Sequence, residues 1–212
     1  MLAMDVWCFS KSTARIDLEK HQTRLHYWGI SLCNFGESPL QFWVFLLYTK
    51  QAPNLVWCTD FTYIRLSNGK MRYNCTVMDL YDRSVVSSIN SEYINTELAK
   101  AAVEQALGTE KPGKGLILHS DQGSQYTSWE FVDYCKKRGI RQSMSKSGCP
   151  YDNAPMERFY NTFKNELIYP NSFSSAECLD EAVRRYVYIW YNHVRPHSYN
   201  GWKTPFEARY RT

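Results

Sequence analysis

The most informative part of the chain runs from Leu116 to Lys164. It begins with Leu116-Ile117-Leu118-His119-Ser120-Asp121 and later reaches Asp152-Asn153-Ala154-Pro155-Met156-Glu157. A short, continuous apolar run such as Leu116 to Leu118 is typical of a buried parallel strand. Asn153, with Pro155 behind it, is typical of the first turn of a helix. Asp121 is therefore expected directly after a strand, and Glu157 on a helix 36 positions later.

The residues before this part predict an antiparallel meander. Leu55 to Leu66 is rich in β-branched and aromatic residues and ends near Asn68-Gly69, a strong hairpin signal. Met71 to Leu80 and Ser84 to Ile89 are predicted to be the second and third strands. We expect the first strand to be central, because the later parallel strands add beside it.

The helical pattern completes the fold prediction. Asn95 is predicted to cap a helix that ends at Gly108, and capping boxes that begin at Thr127 and Ser174 predict two more helices. Ile140 to Met144 predicts a further strand. The sequence thus predicts an α/β fold whose mixed sheet, three antiparallel strands followed by parallel strands, is flanked by helices.

Three regions are distinguished along the chain. Residues 1–50 form an N-terminal extension that no pattern organises, and residues 51–170 form the predicted core. Residues 171–212 are predicted to be a C-terminal helix and a basic, aromatic tail that pack on the core. We interpret the tail, Tyr191 to Thr212, as an extension broken at Pro196 and Pro205.

Charge and composition limit the function classes. The chain is 44% apolar, which excludes a disordered protein, and its net charge is +4. Residues 1–110 carry 10 Lys or Arg against 11 Asp or Glu, and residues 111–212 carry 15 against 10. The basic surplus of the second half fits a polyanionic partner, although a solvated basic face gives the same count.

The cysteines and the apolar runs bear on location. Seven cysteines, an odd number, include no C-x-x-C pair, which indicates reduced thiols in a cytosolic protein. The longest apolar run, Phe42 to Tyr48, is too short to span a bilayer. The sequence predicts no membrane association.

Three carboxylates on three different elements suggest a metal site. Asp60 lies within the first strand, where an unpaired carboxylate is costly, and it could meet Asp121 and Glu157 at the edge of the sheet. Hard divalent cations neutralise such acids, and two Mg²⁺ ions can promote phosphodiester chemistry. Taken singly, each acid is more often a helix cap or a surface charge.

Two features near the C-terminus leave alternatives open. His193 and His197 have the spacing of some zinc sites, but Pro196 argues against a helix there and favours a structural role. The segment Tyr191 to His197 could contact nucleic acid or form a packed corner.

Taken together, several motifs resemble the integrase core of bacterial insertion-sequence transposases, and specifically the product of their second reading frame. The resemblance covers about residues 51–210. It rests on the segments Trp57 to Ile64, Met78 to Arg83, His119 to Ser128, Ser143 to Ser145, Gly148 to Glu157, Phe163 to Leu167, Tyr191-Asn192 and Arg195 to His197. The family's spacing of 35 residues between the second Asp and the Glu is present, and so is its basic residue seven positions later, Lys164.

The resemblance implies a ribonuclease H-like fold and a transposase that cleaves DNA and transfers strands at element ends. It implies that Asp60, Asp121 and Glu157 are catalytic and hold two Mg²⁺ ions, with Mn²⁺ able to substitute. The candidate DNA contacts are Lys164, Asn161, Lys146, Arg158 and Arg195.

The implied partners are element-end and target DNA, further copies of the chain on DNA, and a helix-turn-helix protein from the first reading frame as partner or fusion. The implied location is the bacterial cytoplasm, in association with the nucleoid. The loop from Ser145 to Tyr151 is expected to act as a gate beside Glu157. Two alternatives remain: a DNA-binding remnant without catalysis, and a structure-selective nuclease on the same fold.

Overall fold

A computed structural model describes residues 51–145 and 153–210. The N-terminal extension of residues 1–50, the candidate DNA contact Lys146, and nearly all of the expected gate loop lie outside the described residues. The remaining predicted site residues lie within them.

The first three strands form the predicted antiparallel meander. They are β1 (Val56–Arg65), β2 (Met71–Asp79) and β3 (Val85–Ser91). β1 pairs with β2 along its length except at Val56. At the turn between them Gly69 has a φ of 83°, a left-handed conformation that glycine adopts without strain. The Asn-Gly signal therefore predicted the hairpin correctly.

Two short parallel strands complete the sheet beside β1. β4 (Ile117–Ser120) pairs with β1, and β5 (Arg141–Met144) pairs with β4. The strand order is β3-β2-β1-β4-β5, so the central position predicted for the first strand is confirmed. Because β4 is short, it pairs with β1 only from Val56 to Cys58.

Helices cover both faces of the sheet. The two hydrophobic cores follow from the two-residue periodicity of β1: Trp57 lies in one core, while Val56 and Cys58 lie in the other. The first core is covered by α1 (Thr96–Glu110), α2 (Ser124–Thr127) and α3 (Trp129–Lys137). The second is covered by α4 (Ala154–Phe163) and α5 (Ala176–Arg185), which continue as wider π-helical turns over Lys164–Ile168 and Tyr186–Val194.

Three predicted helix ends are wrong by a few residues. α1 runs past Gly108 to Glu110 and ends where Lys111 takes a left-handed conformation. The caps of α3 and α5 are Ser128 and Ser175, each one residue later than predicted. The Ser128 hydroxyl accepts from the Phe131 N–H and lies 3.1 Å from the Thr96 hydroxyl, so a contact with α1 favours this serine over its neighbour.

The tail contains a helix that the sequence interpretation missed. After a 3-10 turn at Ser198–Asn200, α6 (Pro205–Tyr210) begins at the proline that was interpreted as a break. Thr204 and Glu207 form a reciprocal capping box: the Glu207 N–H donates to the Thr204 hydroxyl, and the Thr204 N–H donates to the Glu207 carboxylate. Proline at the first helical position is favourable, because its missing N–H is not needed there.

α6 is held on the sheet by a buried ionic cluster. The Arg209 guanidinium, 6% exposed, donates to the carboxylates of Asp79 and Asp82, whose side chains are fully buried, at 3.1 and 2.6 Å. It also donates to Glu110 and to the Asn54 side chain. Arg209 thus joins the C-terminal helix to both the sheet and α1.

Within the described residues, none of the helices is both long and apolar enough to cross a membrane.

Candidate active site

Asp60 lies on the central strand, on the face covered by α4. Its Oδ1 accepts a hydrogen bond of 2.7 Å from the Phe61 N–H. Burial, and then the negative charges of Asp121 and Glu157, raise the pKa of Asp60 to about 7, although the Phe61 N–H lowers it. Asp121 and Glu157 are therefore close enough to Asp60 to affect it electrostatically.

Asp121 follows the end of β4 and is exposed. Its Oδ1 accepts a 2.9 Å hydrogen bond from the Gly123 N–H, which fixes the carboxylate over a tight turn. A Cβ at Gly123 would lie 2.9 Å from this oxygen, which is too close for any side chain. Glycine is therefore needed at this position to leave the Asp121 carboxylate where it is.

Tyr126 attaches the Asp121 turn to the central strand. This buried side chain stacks on Phe61 with ring centroids 5.1 Å apart, and its hydroxyl lies 3.2 Å from the Thr59 hydroxyl. Thr59 and Phe61 are the two neighbours of Asp60 on β1. The contact thus joins the segment that follows Asp121 to the two residues that flank Asp60.

Glu157 is exposed in the first turn of α4. The buried face of this helix packs on the sheet, and the hydroxyl of Tyr160 donates to the Asp60 carbonyl at 2.6 Å. Residues three apart on a helix are neighbours on its surface. The Tyr160 hydrogen bond therefore joins the helix that carries Glu157 to β1 at Asp60.

The side chains of Asp60, Asp121 and Glu157 are of the chemical type that binds a hard divalent cation. All three side chains are carboxylates, and oxygen ligands are those that Mg²⁺ and Mn²⁺ prefer. Burial is the largest cause of the raised pKa of Asp60, and the negative charges of Asp121 and Glu157 add to it; a bound cation would favour the ionised carboxylate. Even so, within residues 51–145 and 153–210 no three His, Cys, Asp or Glu side chains are grouped closely enough to hold one ion together.

Three predicted DNA contacts share α4 and its π-helical continuation with Glu157. Arg158 and Asn161 are exposed, and Asn161 accepts a hydrogen bond from the Asn165 side chain. The Lys164 ammonium lies 4.5 Å from the centre of the Tyr63 ring on β1. Arg158 and Asn161 thus lie on the exposed side of α4, whereas Lys164 reaches the sheet at Tyr63.

Arg195 differs from the other predicted contacts because its charge is already paired. It donates to the Glu166 carboxylate at 2.8 Å, and this carboxylate also accepts from Tyr186 and Trp190. The nearby His197 is buried against Tyr191, and burial lowers its pKa to about 4. The segment therefore forms a packed corner in the structure.

Sequence reasoning missed the residues that position the acids. Tyr160 is one of several aromatic residues of its helix, and nothing in the sequence shows that its hydroxyl reaches the central strand. Gly123 follows Asp121 by two residues, which is a recognisable turn pattern. That signal could have identified Gly123 as part of the site.

Comparisons with known proteins agree with this architecture. Two models of the integrase core domain match residues 50–150 and 138–205. The chain is 38% identical over 159 residues to the transposase for insertion sequence element IS904 of Lactococcus lactis, covering 75% of this chain and 62% of the relative. It is 37% identical over 154 residues to transposase InsF for insertion sequence IS3A of Escherichia coli, covering 73% and 53%.

Among solved structures, the HTLV-2 integrase catalytic core domain in complex with magnesium aligns with a TM-score of 0.58 at 19% identity, covering 76% of this chain and 99% of that one. This likeness confirms the ribonuclease H-like fold. The chain spans less than two thirds of the length of the two transposases. With the integrase-core matches and the identity to these transposases, the chain belongs to the integrase-core family of bacterial insertion-sequence transposases.

Proposed function

We propose that this chain is the catalytic domain of a transposase that cleaves and joins DNA at the ends of an insertion sequence. The proposal is supported by two observations: the charges of Asp121 and Glu157, which lie on two other elements, both contribute to the raised pKa of Asp60, and the Tyr160 hydroxyl joins α4 to the Asp60 carbonyl. The family membership supports the same reaction class.

Asp60, Asp121 and Glu157 are the residues that would hold two divalent cations, Mg²⁺ or Mn²⁺. When bound, such ions supply positive charge at the attacking and leaving oxygens of a phosphodiester. The chain itself would contribute the placement of the acids: the Tyr160 hydroxyl ties the helix that carries Glu157 to the backbone of Asp60, and the Gly123 N–H holds the Asp121 carboxylate. Positioning of this kind is what lets reacting groups meet in the right geometry.

The basic side chains on α4 and its continuation would hold the DNA backbone. In the described part of the chain no carboxylate forms an ion pair with Arg158 or Lys164, so their charges remain available to phosphates. Arg195 would contribute less because Glu166 already neutralises it. Phosphate contacts fix register on DNA without reading its sequence.

The same proposal covers the partners. Element-end and target DNA are the substrates, and further copies of the chain assemble on them. Recognition of the end sequence would come from a helix-turn-helix region encoded in the first reading frame, as partner or fusion.

A strand-transfer assay on labelled end DNA with Mg²⁺ or Mn²⁺ tests the proposal. Glu157→Gln is expected to lose at least about 100-fold in both cleavage and joining, a loss of the size seen when one charge-stabilising group is removed. Glu177→Gln is the matched control, because Glu177 also lies in the first turn of a ten-residue helix. It should match the parent.

Three outcomes separate the proposal from its alternatives. Equal activity of Glu157→Gln and the parent contradicts it. DNA binding without metal-dependent cleavage indicates a DNA-binding remnant. Cleavage without joining indicates a nuclease.

A further inference from the structure

The second half of β1 extends beyond its parallel neighbour. β4 pairs with β1 only as far as Cys58, whereas β2 follows β1 to Arg65. From Asp60 onward, β4 therefore leaves one edge of β1 uncovered. This edge begins at a proposed catalytic acid.

Tyr63 lies on this part of β1 and is 63% exposed. The Lys164 ammonium is 4.5 Å from the centre of its ring, a distance at which a cation and an aromatic face attract each other. Arg65, two residues further along the strand, is also exposed. The described residues include no carboxylate in ion-pair contact with Lys164 or Arg65, so both charges are left for an anionic partner.

The distance from the acids can be worked out along both elements. Tyr63 is three residues from Asp60 on a strand, which is about 10 Å. Lys164 is seven residues from Glu157 on a helix, which is also about 10 Å. Because Tyr160 meets Asp60 and Lys164 meets Tyr63, the two elements run in the same direction away from the acids.

We propose that Tyr63 is a DNA-binding residue that stacks on an unpaired base while Lys164 holds the adjoining phosphate. Along the backbone the contact lies about 10 Å from Asp60, which is about three nucleotides at the 3.4 Å rise of each strand of a duplex. An exposed aromatic ring beside a positive charge is the combination that binds single strands without sequence preference. The position relative to the reacting phosphodiester rests on the proposed function.

Fluorescence anisotropy with the full chain and no divalent cation tests the contact. The probes are a labelled oligothymidine of about 20 nucleotides, longer than a single-strand site of roughly 4 to 16 nucleotides, and an abasic strand of the same length. Tyr63→Ala is expected to weaken oligothymidine binding about tenfold and to leave binding of the abasic strand unchanged, because stacking needs a base. Tyr63→Phe, which keeps the ring, should bind like the parent.

Lys164→Gln should weaken binding of both strands and reduce the salt dependence by about 0.7, the slope of one phosphate contact on a single strand. Tyr210→Ala is the control, because Tyr210 is also 63% exposed but lies far from Tyr63. Its neighbour Arg209 pairs with Asp79, which is at the opposite end of the β1–β2 pair from Tyr63. It should have no effect.

The outcomes distinguish this inference from the proposed function. The role of Tyr63 is overturned if Tyr63→Ala binds oligothymidine as tightly as the parent does, or if it loses as much affinity for the abasic strand as for oligothymidine. In either case, strand transfer by the parent would leave the proposed function standing. A parent that binds neither strand overturns the role of Tyr63. If that parent also fails in strand transfer, the proposed function falls with it.

Discussion

Replacing Arg209 by methionine removes the counter-ion of the buried cluster that holds the C-terminal helix. Arg209→Met replaces the guanidinium with a long uncharged side chain. The carboxylates of Asp79 and Asp82, both fully buried, are then left without their cation. Removing one partner of a buried ion pair costs about 3 to 5 kcal/mol, because the other charge stays buried and unpaired. We expect the free energy of unfolding at pH 8 to fall by this amount.

The loss should shrink at acidic pH. Burial and the charge of Asp82 raise the pKa of Asp79 to about 6, above its ordinary value of 3.8, while Arg209 lowers it. Without Arg209 this pKa rises further, so the folded variant takes up a proton while the unfolded chain stays ionised down to about pH 4. The loss relative to the parent therefore shrinks as the pH falls from 8 to 5, by about 1.4 kcal/mol for each further unit by which the pKa rises.

Urea denaturation followed by circular dichroism at pH 5 and pH 8 measures both effects. The control is Arg184→Met, because Arg184 is 67% exposed and pairs with Glu181 on the surface of α5. Exposed pairs contribute roughly 0 to 1 kcal/mol, so the control should change little at either pH. A loss for Arg209→Met no larger than that of the control, or one that does not depend on pH, would refute the reasoning.

Two further substitutions examine how the acids are positioned. Gly123→Ala places a Cβ 2.9 Å from the Asp121 Oδ1 and should lower strand cleavage about tenfold or more without loss of folding. The control is Gly108→Ala, because a Cβ at Gly108 of α1 would meet open space. It should stabilise the folded protein by about 0.5 to 1 kcal/mol, measured by thermal denaturation. A similar loss of activity in both variants would contradict the prediction. Tyr160→Phe removes the 2.6 Å hydrogen bond to the Asp60 carbonyl and should lower the free energy of unfolding by about 0.5 to 1.5 kcal/mol. A parental urea midpoint together with parental strand cleavage would show that this hydrogen bond contributes nothing.

The elements were predicted well where the signal is local. The β-branched and aromatic residues of Leu55 to Leu66 and the Asn68-Gly69 turn identified β1 and β2, and the apolar run before Asp121 identified β4. These signals depend on residues a few positions apart, which is the range over which periodicity and turn chemistry act. The positions of Asp121 and Glu157 after a strand and in a helix followed from the same patterns.

The starts of two helices, α3 and α6, were predicted less accurately. Thr127 and Ser128 can both cap a helix, and the structure uses Ser128, whose hydroxyl also meets Thr96 of α1. Pro205 was interpreted as a break because the capping box that Thr204 and Glu207 form around it was overlooked. Only the tertiary contact with Thr96 shows that Ser128 is the cap, whereas the capping box at Thr204 could have been found in the sequence.

The sequence by itself determined the order of the elements, the presence of three acids on three of them, and the family resemblance. Only the tertiary structure decided which distant side chains meet: Tyr160 with the Asp60 backbone, Lys164 with Tyr63, and Arg209 with Asp79. Each of these contacts joins residues 100 or more positions apart. Their formation depends on how helices pack against the sheet, and no local pattern of residues records that packing.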